Sequence, residues 1–371
     1  MELQADRECT VTYGCIARQG MTAAYGITGW QGMHRNIRMH SPAGNDSSLW
    51  DRLRGCMVVC GLTGRNGKLY NGIINIYKEQ GFTSHDVVAK MRGILRQKKI
   101  GHTGTLDPDA VGVLPVCLGS ATKLCDLLTD RDKEYEAVLR FGVSTDTQDL
   151  SGKILKEAPV TVSKEEAEAA ILSFVGDYDQ IPPMYSALKV NGKKLYELAR
   201  EGREVERKPR PVTIYGITVL NIKLPEVTFR VSCSKGTYIR TLCHDIGVKC
   251  GCPAAMKSLK RTKAGPFLEE DSITLTELER LRDENRIQDV LLPVDQFFSS
   301  LSPVHVPEQF MKYVRNGNAF YLQQIKERMG FADGEEVRVY DTEGRFYGVY
   351  TFLRNEGRFV PKKMFLENGE Q

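Results

Sequence analysis

The sequence contains no apolar run of the roughly 18 to 20 residues that a membrane-spanning helix requires. Its first ten residues, MELQADRECT, also lack the basic and then apolar layout of a secretory signal peptide. These two absences argue against a helical membrane protein and against a secreted one. We therefore expect a cytoplasmic protein.

The sequence also lacks paired C-x2-C knuckles, although it contains ten cysteines. The tightest pair is Cys250 and Cys252, with one residue between them, and this spacing does not suit a structural zinc site. Free thiols are the expected state of cysteines in a chain without a secretory signal. A dinucleotide-binding fingerprint is absent as well. We predict neither a metal nor a cofactor.

Charge is present in a mildly basic balance, with a net charge of +4 and a pI of about 8.4. The basic residues cluster. The stretch 181–211 carries eight Lys and Arg against four Glu, with Tyr185 and Tyr196 interleaved. Shorter basic runs lie at 92–99 and 257–263. Such runs are often solvated surface, but three of them in one chain favour a polyanionic partner such as nucleic acid.

Residues 1–68 differ from the rest, because they show no sustained helical or strand period. They hold both tryptophans, Trp30 and Trp50, and four of the ten cysteines. We interpret this segment as a poorly ordered N-terminal extension or a mis-called start, with Met57 as a later start. We expect no function of its own for it.

Patterned sequence begins after this segment. Ile73, Ile74 and Ile76 predict a strand. Ser84 is placed to cap a helix whose apolar residues fall on one face, namely Val87, Val88, Met91, Ile94 and Leu95. The segments VGVLPVCL and KEYEAVLRFGV predict two further strands.

Later segments mix strands and helices. Ser163 and Glu166 have the spacing of a capping box at the start of a helix. Strands are predicted at 212–223 and 227–233, and a helix from Tyr238 to Lys249. Because the order is not a strict βαβ alternation, the expected class is α+β. At 371 residues, the chain is long enough for roughly two domains.

The end of the chain predicts a separate small β-rich unit. The segment LSPVHVP, with two prolines, has the character of a linker. Two alternating strands follow around a turn at Asp341–Gly344. We assign this unit to residues 303–369.

The motif GHTGTLDPDAVGVLP, at 101–115, raises three interpretations for Asp107. In the first, Asp107 only begins an Asp-Pro turn, with glycines that relax the backbone. In the second, it acts with Asp109 and Mg²⁺ in phosphoryl transfer. In the third, one aspartate is a nucleophile or base without a metal. His102 lies nearby in sequence, but lone histidines are often only hydrogen-bonded turn residues.

A second motif, CSKGTYIRTLCHDIG, passes from a strand into a helix. Tyr238 and Arg240 fall at the first turn of that helix, where side chains can face a site at the strand ends. Arg240 could pair with a nearby carboxylate and hold it ionised and oriented. The alternative is a surface arginine beside a half-buried tyrosine, and both are common.

Four motifs occur in order: GHTGTLDPDAVGVLP, KEYEAVLRFGVSTDTQD, QIPPMYSALKVNGKKLYELAREG and CSKGTYIRTLCHDIG. Together they closely resemble the bacterial tRNA pseudouridine synthase B (TruB) family. The resemblance runs from about Tyr70 to Asp295, with a weaker match of the last domain to the family's PUA-like domain. It implies a pseudouridine synthase catalytic domain at 70–298, with a central mixed, largely antiparallel sheet. The basic stretch 181–211 falls where the family has a thumb insertion that clamps RNA.

The resemblance also implies roles for individual residues. Asp107 would be the catalytic aspartate, and Arg240 the arginine that pairs with it. Tyr135 would stack on the target base, with Tyr238 beside it in the pocket. His102 matches a histidine near the flipped-out base.

The remaining implied residues are less closely tied to the motifs. Leu259, before KRTKAGPF, matches the family's pocket leucine in a looser alignment. Lys78 is grouped with the substrate-binding residues, although Glu79 follows it where the family often has proline, which puts the local turn in doubt. The implied RNA-binding residues of the thumb are Lys189, Lys193, Lys194 and Arg203.

The implied activity is isomerisation of the T-loop uridine at tRNA position 55. The resemblance implies a monomer that needs no cofactor and no protein partner. The reaction involves no net oxidation or hydrolysis. Whether the aspartate bonds to the ribose or the uracil, or removes a proton, is left open by the sequence. The alternative function is an RNA-binding chaperone of the tRNA elbow without catalysis.

Overall fold

The computed structural model describes residues 69–190, 192–327 and 329–366. The interpretation of residues 1–68 as an extension therefore lies outside the described residues. In the described ranges, no helix is both long and apolar enough to cross a membrane. The six cysteines in these ranges form no disulfide.

Strands dominate the structure, and each occupies a short, well-bounded segment. They are β1 Gly72–Lys78, β2 Ile100–His102, β3 Val111–Leu118, β4 Lys133–Phe141, β5 Val143–Thr145, β6 Ile154–Glu157, β7 Gly176–Gln180, β8 Lys189–Val190, β9 Lys193–Lys194, β10 Arg210–Lys223, β11 Glu226–Cys233, β12 Ala254–Ala264, β13 Phe267–Leu268, β14 Ser302–His305, β15 Phe320–Tyr321, β16 Glu336–Tyr340, β17 Phe346–Leu353 and β18 Arg358–Met364.

The α-helices are few and mostly short. They are α1 Ser84–Leu95, α2 Cys125–Thr129, α3 Lys164–Leu172, α4 Leu195–Arg200, α5 Ile239–Lys249, α6 Leu275–Asp283 and α7 Met311–Arg315. Single 3₁₀ turns connect several of these elements.

A nine-stranded sheet organises the larger part of the chain. Its main order is β1-β3-β12-β4-β11-β10-β7, with β2 and β13 attached to β3 and β12. Every pair along this path is antiparallel except β3 with β12. The predicted α+β class with a mixed, largely antiparallel central sheet is therefore confirmed.

The core follows from the alternation along β4. Alternate residues of this strand are buried, so Tyr135, Ala137 and Leu139 share one face of the sheet. Helix α5 packs on the same core through Leu242 and Ile246. This packing places the first turn of α5 beside the sheet, and Arg240 belongs to that turn.

The last strands form a second sheet in the order β14-β16-β17-β18-β15. The predicted turn at Asp341–Gly344 lies between β16 and β17, closed by a hydrogen bond from Gly344 N to Asp341 O of 3.3 Å. This sheet contacts the part of the chain that contains the nine-stranded sheet. Phe365 packs in a core cluster with Val113 and Phe267, and the Tyr340 hydroxyl donates to Asp295 Oδ2 at 3.0 Å.

Helix α1 shows where prediction from local sequence was right and where it was wrong. The predicted apolar face is buried as expected. The N-cap, however, is Thr83 and not Ser84, since Thr83 Oγ1 accepts from Asp86 N at 3.0 Å. Ser84 is itself buried and turns its hydroxyl toward the loop that carries Asp107. The capping box of Ser163 and Glu166 is confirmed at α3.

Candidate active site

Asp107 lies in the loop between β2 and β3. The turn after it is closed by a hydrogen bond from Ala110 N to Asp107 O of 3.1 Å. The residue before it is fixed from α1: Leu106 N donates to Ser84 Oγ at 2.9 Å, and Ser84 Oγ donates to Leu106 O at 3.3 Å. The loop is therefore anchored on both sides of the aspartate.

Lys78 holds the same loop from the end of β1. Its side chain is fully buried, and its ammonium donates to the carbonyl oxygens of Glu79, Phe82 and Pro108 at 3.1, 2.5 and 3.0 Å. Burial lowers the pKa of Lys78 to about 8, although Asp107 opposes this shift. The turn forms despite the glutamate at position 79. The structure places the Lys78 ammonium on backbone carbonyls that include the one directly after Asp107.

Arg240 projects from the first turn of α5 onto Asp107. Its Nε lies 3.1 Å from Asp107 Oδ2, and its Nη2 lies 3.5 Å from Oδ1. The two oxygens of one carboxylate thus face two nitrogens of one guanidinium, which fixes the orientation of both. The pairing that the sequence indicated is present.

The same guanidinium has partners on its other edge. Arg240 Nη1 donates to Thr147 O at 3.1 Å and lies 3.5 Å from Asp149 Oδ2, while Nη2 donates to Tyr185 O at 2.8 Å. Asp149 is held in turn by the Thr147 hydroxyl at 2.7 Å. Arg240 therefore joins two carboxylates.

Sequence reasoning did not single out Asp149. It belongs to the polar run STDTQD, directly after the strand that carries Tyr135. A cluster of threonines and aspartates following a buried strand was the available signal.

Asp107 sits in an environment with two opposing influences. Its side chain is 40% exposed, so water reaches it, whereas the Arg240 side chain is only 9% exposed. Desolvation raises the pKa of the Asp107 carboxyl, Arg240 lowers it, and the nearby Asp149 raises it again. The net shift is upward, which makes Asp107 a stronger base than an exposed aspartate when it is ionised.

Tyr135 and Leu259 form an apolar wall near this carboxylate. Tyr135 lies on β4 and Leu259 on β12, and both are buried in one cluster with Leu106 of the Asp107 loop. Burial raises the pKa of the Tyr135 phenol, so the ring is neutral at physiological pH. These three side chains lie in one apolar cluster next to the loop that carries Asp107.

Arg261 is a further residue that sequence reasoning placed wrongly. The run 257–263 was expected to be a basic surface cluster, but the Arg261 side chain is 1% exposed. It pairs across the sheet with Tyr135 and lies close enough to that phenol to lower its pKa against the larger, opposite effect of burial. Its Nε donates to Val113 O at 2.7 Å and its Nη2 to Gly104 O at 3.3 Å.

Two glycines of GHTGTLDPDAVGVLP have structural reasons to be glycine. A Cβ on Gly112 would lie 2.2 Å from the Arg261 carbonyl oxygen, which no side chain tolerates. Gly104 has a φ of +88°, which is unfavourable for other residues. Close approach of β3 and β12 therefore accounts for Gly112, and loop geometry accounts for Gly104.

His102 ends β2 and is half-buried. Burial is the largest influence on its ring and lowers the pKa of His102 to about 4, with His85 and Arg261 adding to the shift. The rings of His85 and His102 meet edge to face at 5.3 Å. His102 is therefore neutral near pH 7, so its ring can donate and accept hydrogen bonds but carries no charge.

Tyr238 directly precedes α5. The side-chain amide of Gln180 makes two hydrogen bonds to its backbone. Gln180 Oε1 accepts from Tyr238 N at 2.7 Å, and Gln180 Nε2 donates to Tyr238 O at 3.0 Å. Burial raises the pKa of the Tyr238 phenol, and both Arg240 and Asp107 are close enough to affect it. The structure thus brings Tyr238 to the site through the end of β7.

The segment 181–211, which the family resemblance predicts to be a thumb, connects the paired strands β7 and β10. It has its own small core, formed by Met184, Leu195 and Leu198. Its charged side chains form exposed pairs: Lys193 and Arg203 lie 3.3 and 3.6 Å from the two oxygens of Glu201. Of the other predicted thumb residues, Lys189 is exposed and Lys194 donates to the Tyr196 hydroxyl at 3.2 Å. These four residues lie outside the Asp107 cluster.

Metal-ligating side chains do not converge in the described part of the chain, where no group of three or more His, Cys, Asp or Glu is placed to hold an ion. The charged groups around Asp107 are Arg240, Lys78 and the carboxylates of Asp149 and Asp109. The arrangement offers one oriented carboxylate, an apolar wall and neutral phenols, which suits acid–base or covalent chemistry on a flat organic ring.

The sequence matches two described families in tandem. Residues 92–239 match the TruB family pseudouridylate synthase N-terminal domain, and residues 240–299 match the tRNA pseudouridylate synthase B C-terminal domain. The protein named tRNA pseudouridine synthase B from Lachnoclostridium phytofermentans is 51% identical over 80% of this chain and 100% of its own length. Its counterpart from Alkaliphilus oremlandii is 49% identical over 77% of this chain and 94% of its own.

Solved structures share the fold at lower identity. An H/ACA RNP bound to a substrate RNA containing 2′-deoxyuridine includes a chain that is 27% identical, with a TM-score of 0.58, over 81% of this chain and 86% of that one. A chain of the archaeal box H/ACA Nop10–Cbf5 complex is 26% identical with the same TM-score, over 81% and 88%. The chain therefore belongs to the TruB family of pseudouridylate synthases, which are isomerases.

Proposed function

We propose that this enzyme converts the T-loop uridine at tRNA position 55 to pseudouridine, with Asp107 as the catalytic group. The observation that carries the proposal is the Asp107 carboxylate held by Arg240 beside the Tyr135 wall. The relatives named tRNA pseudouridine synthase B support tRNA as the substrate. Position 55 rests on the family resemblance of the four motifs.

The reaction needs a group of this kind. The bond from uracil N1 to ribose C1′ breaks, the ring turns, and a bond forms from C5 to C1′. C5 loses a proton and N1 gains one, so no electrons enter or leave. Asp107 serves either by bonding to the ribose or the uracil, or by removing and returning a proton at C2′. Arg240 keeps the carboxylate oriented in each case.

The neighbouring side chains receive positioning and binding roles. Tyr135 stacks on the extruded uracil, and Leu259 and Tyr238 close the pocket around it. His102, which is neutral, lies at the edge where the base enters. A base removed from a folded loop loses its stacking, and an aromatic ring replaces part of that loss.

Lys78 acts in this proposal through the loop and not on the base. Its ammonium already has three carbonyl partners, one of them Pro108 O. It therefore positions Asp107 by holding the peptide that follows it.

RNA binding is assigned to the exposed basic surfaces. Lys189, Lys193, Lys194 and Arg203 of the thumb would contact the backbone of the T-arm, and the second sheet, 302–364, would act as a PUA-like RNA-binding domain. Phosphate contacts of this kind supply affinity that falls with salt. We expect the chain to act in the cytoplasm as a monomer, without a cofactor or protein partner, although two of its structural neighbours come from multi-component complexes.

Mapping of the product tests the proposal. An unmodified tRNA transcript is treated with the purified chain, and pseudouridine is located by carbodiimide treatment and primer extension. We expect one new stop, one nucleotide to the 3′ side of position 55, and none with a transcript that carries cytidine at position 55. Stops elsewhere would overturn the position. Binding of the tRNA without any new stop would favour the chaperone alternative. The molar mass of the purified protein, measured by light scattering, tests whether it is a monomer.

A further inference from the structure

Two cysteines meet in the apolar cluster that joins the two sheets. Cys117 lies on β3 and is fully buried in this cluster, which also contains Phe365. Cys125 begins α2, is half-buried and packs against the same cluster. Both thiols are free, and neither takes part in the function proposed above. They are therefore two nucleophilic groups without an assigned role.

The strand register brings the two side chains to one face of the sheet. Cys117 lies directly opposite Gly101 on the antiparallel neighbour β2. Opposite residues of such a pair share a face, with their Cβ positions about 4.5–5.5 Å apart. A Cβ added to Gly101 would lie 3.1 Å from Cys125 Sγ. Cys125 Sγ therefore fills the space that a side chain at Gly101 would take, next to Cys117.

The two thiols differ in acidity. Contact with Cys117 is the largest influence on Cys125 and lowers the pKa of its thiol; Lys363 acts in the same direction, against burial and Asp126. The same contact, together with burial, raises the pKa of the Cys117 thiol. Because the thiolate is the form that attacks an oxidant, Cys125 is the more reactive member of the pair.

The other described cysteines lack this combination of features. Cys233 and Cys243 are buried, and burial raises the pKa of both thiols. Cys250 is half-buried, as Cys125 is, and has a second thiol two residues away at Cys252. Burial and the neighbouring Cys252 nevertheless raise the pKa of Cys250. Cys250 is therefore a matched comparison for Cys125.

We propose that Cys125 and Cys117 form a redox-active pair that is oxidised to a disulfide by a hydroperoxide. The Cys125 thiolate attacks one peroxide oxygen and the O–O bond breaks. The departing oxygen takes up a proton, which leaves a sulfenic acid on Cys125. The Cys117 sulfur then displaces that hydroxyl and gives up its own proton, so that a disulfide and one water form. In total, two thiols are oxidised and one hydroperoxide is reduced to an alcohol and water.

The surroundings of the pair suit a reversible modification. Cysteines that sense oxidants combine a reactive, accessible thiolate with a second thiol beside it. Cys117 is shielded by the cluster, so its reaction partner is Cys125 and not the oxidant itself. Disulfides of proteins without a secretory signal are usually transient ones of this kind. The proposal goes beyond the isomerase activity and does not depend on Asp107 or on the RNA substrate.

Peptide mapping of the full chain tests the proposal. Trypsin cleaves after Lys99, Lys123 and Arg131, so Cys117 and Cys125 fall on the separate peptides 100–123 and 124–131, and neither peptide has another cysteine. The reduced protein is treated with hydrogen peroxide, the remaining thiols are alkylated, and the digest is analysed by mass spectrometry with and without reductant. We expect a species that joins the two peptides and disappears on reduction.

Three variants assign the order of the steps. Cys117→Ala should stop at the sulfenic acid of Cys125, which dimedone labels, because no second thiol displaces the hydroxyl. Cys125→Ala should leave Cys117 reduced. Cys250→Ser is the control and should form the joined peptides as the wild type does. In the untreated wild type, Cys125 should be alkylated about tenfold faster than Cys250 near pH 7. Melting curves establish that each variant is folded.

Three outcomes would overturn the pair. One is a wild-type digest without the joined peptides under conditions that oxidise Cys250. Another is oxidation of Cys117 in Cys125→Ala to the same extent as in the wild type, which would show that Cys117 reacts alone. The third is a Cys125 that links mainly to a cysteine of residues 1–68 or of a second chain. Absence of pseudouridine in the reaction of the untreated protein would count only against the proposed function.

Discussion

The thumb and the Asp107 cluster use the same side-chain types under opposite conditions. On the thumb, Lys193 and Arg203 are 54% and 66% exposed and share one carboxylate, Glu201. In the cluster, Arg240 is 9% exposed and touches two carboxylates and two carbonyl oxygens. Exposure therefore separates the cations that we propose to bind RNA from the cation that holds the proposed catalytic aspartate.

The energetic consequences of this difference are large. Exposed pairs of the thumb kind contribute about 0–1 kcal/mol and weaken in salt. Removing one partner of a buried, hydrogen-bonded pair costs about 3–5 kcal/mol, because a charge is left unpaired. The two regions nevertheless meet, since the carbonyl of Tyr185, at the base of the thumb, accepts from Arg240 at 2.8 Å.

Arg240→Met should produce the largest effect. It leaves Asp107 and Asp149 without their shared cation, which should lower the free energy of unfolding by about 3–5 kcal/mol. Because Asp107 also loses its fixed orientation, kcat should fall roughly 100-fold or more. Because Arg240 lowers the pKa of Asp107, its removal raises that pKa further. In a plot of the single-turnover rate against pH, the fall in rate on the acidic side (the acid limb) should therefore occur at higher pH. An acid limb that stays in place would contradict this role of Arg240.

Arg261→Met should have the second largest effect, and we expect that effect mainly on the stability of the fold. It leaves the carbonyls of Val113 and Gly104 without donors in the interior, at a cost of about 2–3 kcal/mol. We expect a melting temperature lower by roughly 5–10 °C. Arg261→Lys keeps the charge and one donor and should recover part of the loss. Equal melting of Arg261→Met and the wild type would argue against a structural part for this guanidinium.

Asp149→Asn should lower kcat less than Arg240→Met does, and it should move the acid limb of the rate profile in the opposite direction. Arg240 keeps its other three partners, so kcat should fall about tenfold, or roughly 1.5 kcal/mol. Since Asp149 raises the pKa of Asp107, removing its charge lowers that pKa, and the acid limb should move to lower pH. Opposite shifts in Asp149→Asn and Arg240→Met would separate electrostatics from a general loss of geometry.

Lys193→Gln/Arg203→Gln should leave chemistry almost unchanged. Loss of these exposed pairs should alter the free energy of unfolding by less than about 1 kcal/mol. The Kd for tRNA should rise, and its salt slope should weaken by roughly 0.7 to 0.9 for each phosphate that is no longer neutralised. A large fall in kcat at saturating tRNA would break the distinction between the two regions.

Local patterns in the sequence were sufficient for elements that depend on near neighbours. The buried face of α1, the Ser163–Glu166 capping box and the turn at Asp341–Gly344 are of this kind. Each needs only helical spacing or turn chemistry. The pairing of Arg240 with Asp107, 133 residues away, was implied by the family resemblance and not by a local pattern.

The errors arose where partners are far apart in the chain. Ser84 was taken for a cap, but Leu106 competes for its hydroxyl from 22 residues away. Arg261 was taken for surface, but an irregular register between Arg261 and Lys263 on β12 turns the arginine inward and the lysine outward. Asp149 reaches Arg240 across 91 residues. No short window of sequence contains these relations.

The central claim is that Asp107 performs the chemistry. The most direct test treats a tRNA transcript with Asp107→Asn and maps pseudouridine by mass spectrometry, with the neighbouring Asp109→Asn as the matched control. We predict no pseudouridine from Asp107→Asn, a Kd for tRNA within about twofold of the wild type because the change is isosteric, and product from Asp109→Asn. Pseudouridine at position 55 formed by Asp107→Asn at the wild-type rate would contradict the account.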